Sequence, residues 1–368
     1  MTTSTTSRLL SLDVFRGMIM VLLMMESTRL YDHLLSFIPS ETPLHLFFTQ
    51  FTHHPWNGLR FWDLIQPGFM FIAGTALALS LIKQEGLGVS WNTRFSKVLR
   101  RSGWLFFWGV LDYAVRDHGL SFELWDVLTQ LSFTTLVAFL IFNFSLSAQL
   151  TISFALLLMT EVLYRFTGFP DFDQPFVDQH NFGNYMDLVL MNKINSGGWV
   201  AINCLPTAAH TIWGAMAGKW LLSQKSTNEI LKPMIVLGLI FLFSGYVLDF
   251  AGVTPIIKRI ATSSFTLVSG GWCILFLTGF YWWIDVRNHR SGWSFFTIVG
   301  MNSLFIYLFF EIVGNRWFTE YLTTIVTGLM LPINLPEWLS LITASLVIFA
   351  VEWKMCQFLF RKGIFFKI

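Results

Sequence analysis

The chain has 368 residues, 54% of them hydrophobic and only 12% charged, with a formal net charge of +2. Soluble domains carry about a quarter charged residues, so an ordinary soluble enzyme is excluded, and so small a charge gives no footprint for a nucleic-acid partner. The 39 Phe and 16 Trp exceed what a soluble core needs, and the composition reads as an all-α, polytopic membrane helix bundle forming one domain over 1–368.

A bilayer core needs about 20 apolar residues per helix, and the sequence offers about ten such segments. The first, 10–30, contains Asp13, Arg16 and Glu26 and has no small-residue cleavage site after it. It therefore reads as a span rather than a cleaved signal peptide. Asp13 and Arg16 stand at i and i+3, suited to a local ion pair or to contact with a cytoplasmic cofactor. Glu26 and Ser27 fall near the outer end, where Glu26 is either an interfacial carboxylate or faces an internal cavity.

The second segment, 61–82, is entered through "THHPWNGLRFWDLIQP" (52–67), an unusual concentration of polar groups at the mouth of a span. The third, 98–116, begins with Arg100 and Arg101, which serve either phosphate binding or positive-inside anchoring. Segments 124–146 and 149–168 follow. The acidic, aromatic stretch 169–197 reads as a functional loop, its Gly and Pro content favouring an ordered cap rather than a helix. Segment 198–222 carries His210, a packing residue or a cofactor contact, with Gly214, Ala217 and Gly218 allowing close helix approach. Segments 232–251, 262–284, 295–314 (with Asn302, a substrate or interhelix contact) and 336–360 complete the set. Cys204, Cys273 and Cys356 fall in these segments without metal or disulfide spacing and read as buried thiols.

Lys and Arg favour the cytoplasmic side of membrane proteins. With the N-terminus inside, Arg8, Lys83, Arg94, Lys97, Arg100, Arg101, Lys219, Lys225, Lys232, Arg287, Arg290, Lys354, Arg361, Lys362 and Lys367 lie inside. Arg29, Arg60, Arg116, Arg165, Lys193, Lys258, Arg259 and Arg316 lie outside, and Arg16 within a span. Fifteen against eight places both termini in the cytoplasm and residues 31–60 and 169–197 outside.

Ionisable groups inside membranes are expensive and often functional. In the 53–63 cluster a neutral histidine is a base poised near physiological pH. A carboxylate such as Asp63 can fix its tautomer and offset its developing charge. Trp56 offers a stacking face and Asn57 an amide, a pairing suited to a sugar. Adjacent His53 and His54 cannot readily bind one metal ion, so no metal is expected.

These residues carry a resemblance. The chain resembles the heparan-α-glucosaminide N-acetyltransferase family of transmembrane acyltransferases and its bacterial relatives. It does so through "RLLSLDVFRG" (8–17), "HHPWNGLRFWDLIQPGFMFIAG" (53–74), "LRRSGWLFFWG" (99–109), "NCLPTAAHTIWGAMAG" (203–218), "PIIKRIATSSFTLVSGGW" (255–272) and "VGMNSLFIY" (299–307). The resemblance puts the family's catalytic histidine on His53, three positions before Trp56, and matches Gly58, Asp63 and Pro67. It implies transfer of acetyl from cytoplasmic acetyl-CoA, used as acyl donor, to a sugar amine or hydroxyl on the far side of the membrane. His53, Asp63 and Glu26 would be catalytic, and Trp56, Asn57, Ser27 and Asn302 would contact substrate. Arg100, Arg101 and His210 would contact the donor. The partners implied are acyl-CoA, a glycan or amino-sugar acceptor and the lipid bilayer of a bacterial inner membrane, with a homodimer left open. Two positions depart from the family: Ser27 stands where an Asn is common, and "LTQL" with Gln130 where "LQRI" is common. The competing expectation is a sugar or oligosaccharide transporter.

Overall fold

The computed structural model describes residues 9–115 and 119–366. Arg8, Arg116 and Lys367 of the charge count lie outside the described residues. The chain runs through α1 (Leu10–Ser27), the short α2 (Leu30–Phe37) and α3 (Pro43–Thr49), and a 3₁₀ turn at Phe61–Leu64 that leads directly into α4 (Ile65–Gly86). Next come α5 (Trp91–Ala114), α6 (Val127–Leu140), α7 (Leu146–Phe166), α8 (Phe182–Met191), α9 (Cys204–Leu221) and α10 (Thr227–Phe250). α11 (Ser263–Phe280) continues as a π-helical stretch, Tyr281–Val286, and is followed by α12 (Ser294–Gly300) and α13 (Ser303–Phe309). A second π-helical stretch, Phe310–Phe318, joins α14 (Thr319–Met330), and α15 (Glu337–Arg361) closes the bundle. Among the described residues there is no β-sheet, only isolated bridges such as Asn57 with Ile257.

Long helices alternate in direction, so their loops gather at two ends. At one, called the upper end, the Asn57–Ile257 bridge, Trp56 Nε1 donating to the Phe176 carbonyl and Arg165 donating to the Val253 carbonyl tie the loops together. At the lower end the Leu10 and Ser11 amides donate to Asp285, and Lys219 donates to the Phe142 carbonyl.

The centre of the bundle is α9, buried on every side from Pro206 to Gly218. A helix buried all round must satisfy its polar side chains against its neighbours. Thr211 Oγ1 donates to Thr134 Oγ1 of α6 at 3.0 Å, and Trp213 Nε1 to Ser153 Oγ of α7 at 2.8 Å. His210 Nε2 meets Ser269 Oγ of α11 at 2.8 Å. Against α4 the backbones nearly touch: a Cβ on Gly214 would strike the Phe71 carbonyl, and one on Gly74 the Thr211 carbonyl. This is the small-residue packing by which helices associate in lipid.

Among the described residues five helices are long and apolar enough to cross a membrane: Phe61–Gly86, Leu146–Phe166, Thr227–Phe250, Ser263–Val286 and Glu337–Arg361. A sixth is added if Ser294–Gly300 and Ser303–Ile333, bent by 73° at their junction, form one span. Their outward faces are apolar, with Leu158, Leu239, Phe243 and Val347 exposed. The ten spans expected from hydropathy are not reached, for physical reasons. α1 carries three charges, α5 holds Arg94, Lys97, Arg100, Arg101 and Asp112, α6 is 14 residues long, and α9 owes its burial to neighbouring protein.

A second difference lies in 169–197, where a helix, α8, stands within the stretch expected to be an ordered cap rather than a helix. Asn181 accepts from the Asn184 amide and starts it, and Phe182, Asn184 and Asp187 are buried.

Candidate functional site

The residues 52–60 form a tight loop against the segment 251–262. Gly58 has φ of +144°, and its amide donates to the Ile256 carbonyl at 2.8 Å. A Cβ at Gly58 would lie 2.5 Å from His54 Nε2, so glycine is needed for both the backbone angle and the space. Asp63, 1% exposed, organises the loop from below. Its Oδ2 accepts from the Arg60 amide at 2.9 Å and the His54 amide at 3.3 Å. Its Oδ1 faces His53 Nδ1 at 3.3 Å. Arg60 Nη1 donates to the His53 carbonyl at 2.8 Å and to Thr52 Oγ1 at 2.7 Å. The two adjacent histidines are thereby turned apart: His54 packs beneath Gly58, and His53 lines a cavity.

That cavity holds about 240 Å³ and gathers groups from distant parts of the chain. Glu26 enters from α1, Gln66 and Phe69 from α4, Asp126 from the start of α6, Tyr307 from α13 and Glu311 from the π-helical stretch. Trp62, Trp125 and Trp199 supply aromatic faces, and Lys258 is the cation of the lining. Trp62 Nε1 donates to Glu26 Oε1 at 3.0 Å. Asp126 accepts twice, from the Leu128 amide at 2.7 Å as the cap of α6 and from Tyr307 Oη at 2.8 Å. Behind the wall, buried Asp187 accepts from Trp125 Nε1 at 3.0 Å and from the Ala201 amide at 2.8 Å. Burial pushes its carboxyl up to about 7.

Lys258 Nζ lies 3.0 Å from His53 Nδ1 and 3.6 Å from Asp63 Oδ1, with the Trp199 ring 5.3 Å away. Burial lowers its ammonium to about 8, against the pull of Asp63 and Glu26. Burial and the Lys258 charge in turn lower His53 to about 4, with Asp63 opposing them. His53 is therefore a neutral imidazole at physiological pH.

A second, smaller cavity of about 100 Å³ lies below the first, lined by Arg101, Leu105, Leu128, Leu131, Ser303 and Leu304. Phe69, Val127 and Tyr307 belong to both linings. The two spaces are thus neighbours that share three lining side chains. Asp13 and Arg16 pair at 3.8 Å on α1, as their spacing suggests.

Of the residues singled out in the sequence, His53, Asp63 and Glu26 come together at the upper cavity, and Arg101 lines the lower one. The remainder stand elsewhere. Trp56 packs with Tyr164, Phe182 and Val200, and Asn57 makes the bridge to Ile257. Ser27 Oγ donates to the Met24 carbonyl at 2.8 Å. Asn302 binds the carboxy-terminal tail through both ends of its amide, to the Ile364 carbonyl and the Phe366 amide, each at 3.1 Å. His210 is wholly buried against Ser269 and Trp213, and Arg100 is exposed and lines neither cavity. In the structure the side chains of Trp56, Ser27, Asn302 and His210 make packing or hydrogen-bonding contacts within the protein, outside both cavities.

Lys258, Trp199, Trp62, Tyr307 and Glu311 were not foreseen as site residues. Only Lys258 left a signal: a Lys-Arg pair in a short loop expected on the outer side runs against the inward bias of positive charge. Gln130, the departure in "LTQL", accepts from Gln66 Nε2 at 2.7 Å, and Gln66 in turn lines the upper cavity. Among the described residues no three His, Cys, Asp or Glu side chains converge as a metal site. Comparison with protein-family models and with curated proteins finds no match to this chain.

Proposed function

We propose that the chain is an integral membrane acyltransferase that moves an acetyl group from cytoplasmic acyl-CoA to a sugar amine or hydroxyl on the opposite side. The observation that carries the reading is the pair of cavities stacked on the Phe69–Val127–Tyr307 layer, with the His53–Asp63 pair in the upper one. The lower cavity suits the donor. Leu105, Leu128, Leu131 and Leu304 offer an apolar sleeve for a pantetheine arm, and Arg101 a charge for its phosphates. The upper cavity suits an amino sugar, because Glu26, Asp126 and Glu311 attract an ammonium and the tryptophans present faces to a pyranose ring.

In this reading the acceptor nitrogen or oxygen attacks the thioester carbonyl while its proton passes to His53, the C–S bond breaks and CoA leaves as a thiolate. Transient acetylation of the same imidazole, followed by attack of the acceptor, uses the same groups. About ten spans, an inner-membrane location and cytoplasmic termini belong to this proposal, supported by the charge bias and by the helices found at each of the ten apolar segments.

The test is incubation of purified protein with labelled acetyl-CoA and a panel of amino sugars and glycans. His53→Ala should lower transfer by about 10²–10⁴-fold, the usual contribution of a general base. His54→Ala, at a ring packed beneath Gly58, should cost far less. Equal and negligible losses in both variants would sink the acyl-transfer reading. One observation favours the alternative of a sugar transporter: the 73° break between Gly300 and Ser303 is the kind of interrupted helix that transporters use. Uptake of labelled sugar by proteoliposomes without any acetyl donor would decide for it.

A further inference from the structure

His53 Nδ1 has two neighbours that make opposite demands on it. Asp63 Oδ1, at 3.3 Å, can only accept a hydrogen bond when ionised, and so asks Nδ1 to carry the proton. Lys258 Nζ, at 3.0 Å, is an ammonium with three hydrogens and no lone pair while charged, and so asks Nδ1 to be bare. Two nitrogens that close cannot point hydrogens at each other. The charge on Lys258 therefore decides the contest. With the ammonium present, Nδ1 accepts and the proton sits on Nε2. With the neutral amine, Nδ1–H donates to Asp63, and Nε2 is left with a free lone pair. Nε2 has no partner within the chain among the described residues, so it is the nitrogen left for chemistry in the cavity.

We propose that Lys258 is a positioning residue that switches the tautomer of His53, holding it inert while protonated and freeing Nε2 as a base when it loses its proton. The inference rests on the acyl-transfer reading only for its consequence; the switch itself is a property of three side chains.

The surroundings make such a switch workable. Lys258 is 6% exposed, buried where its side chain lines the cavity. The segment carrying it is pinned by the Ile257 amide donating to Thr262 Oγ1 at 3.0 Å and by the bridge to Asn57. The charged and titratable groups facing it are Asp63 from the turn before α4, Glu26 from α1 and Arg259 from its own loop. Asp126 and Glu311 stand across the cavity, and Arg60 holds the His53 carbonyl. The carboxylates favour the ammonium, while burial and Arg259 oppose it, which brings its titration down to about 8. A change of local pH, or a cationic acceptor entering among the carboxylates, then suffices to discharge it. His53, Asp63 and Lys258 titrate as one coupled unit, so the midpoint belongs to the trio.

The experiment reads the tautomer directly. Full-length protein labelled with ¹⁵N-histidine is compared in detergent micelles at about pH 6 and about pH 10, on either side of the titration. The His53 signals are assigned from their loss in His53→Gln. The expected result is a bare Nδ1 and protonated Nε2 at the lower pH, the reverse at the higher, and a protonated Nδ1 at both in Lys258→Met. Turnover of the unaltered enzyme should climb roughly tenfold per pH unit below the midpoint, and that slope should vanish in Lys258→Met. An unchanged tautomer across the titration in the unaltered protein overturns the switch, and that arm needs no variant to fold. A tautomer that reverses as described upholds the switch even if no acetyl transfer is found, in which case it is the acyl-transfer reading that fails. Acetyl transfer accompanied by a pH-independent tautomer overturns the switch and leaves that reading standing.

Discussion

At the scale of single residues the arrangement turns on Asp63, which sits at the start of a helix and spends one oxygen on backbone and the other on side chains. Oδ2 shapes the loop through the His54 and Arg60 amides, and Oδ1 faces His53 and Lys258. Loop geometry and the ionic character of the site therefore share one carboxylate. His53 gives a stability prediction. Its folded value, lowered to about 4 from an ordinary 6.5, means the unfolded chain binds the proton more readily. Its contribution to stability is fully present above pH 6.5 and is lost as pH falls towards 4. Thermal unfolding in detergent should show this acid slope, and His53→Gln should flatten it; an equal slope in both would contradict the prediction. The His53–Asp63 relation was legible in the sequence because both residues lie in one short motif. Lys258 was not, since 205 residues separate it from His53 and nothing local marks the contact.

At the scale of elements, the apolar segments read from hydropathy each overlap a helix, the structure in which a segment's backbone groups satisfy one another. What hydropathy could not give was which helices face lipid and which are enclosed. α9 looks like the others in sequence yet is covered on every side, and its His210, like Asn302 between α12 and α13, makes its contacts within the protein, to Ser269 and to the carboxy-terminal tail. The α4–α9 contact yields a prediction. Gly214→Leu would drive a side chain into the Phe71 backbone and should destabilise the protein by about 1–3 kcal/mol or more. The measurement is the shift in the thermal unfolding midpoint in detergent. A variant as stable as the parent would mean the helices can separate without cost.

At the scale of the whole molecule, the two ends of the bundle differ in kind. The upper end is built from long, mutually bonded loops that roof the cavity with Trp62, Trp125 and Trp199, and the lower end from short connections. In the proposed topology, which rests on the charge bias, the upper end faces outside. Single cysteines introduced at Lys225 and His180 into a cysteine-free background test this in intact cells. A membrane-impermeant maleimide should label position 180 and not 225; the opposite pattern inverts the topology. The order of the apolar helices was readable from the sequence, while the convergence of α1, α4, α6 and α13 on one space was not. Such convergence depends on how helices pack against each other, and single-chain hydropathy carries no record of it.

The layer of Phe69, Val127 and Tyr307 has an electrical consequence. Voltage across a membrane falls over whatever low-dielectric material separates the two aqueous phases. In the proposed reaction the upper cavity opens to one side and the lower to the other, and that material is then thinned from the full bilayer to the side chains the two cavities share. The field through them is correspondingly steep, and an elementary charge crossing the layer works against the whole potential, about 2.3 kcal/mol per 100 mV. In the proposed reaction nothing charged makes that crossing. The donor's phosphates stay with Arg101 below, the carboxylate of Asp63 stays above, and the fragment that passes between them is a neutral acetyl group, which an energised membrane neither helps nor hinders.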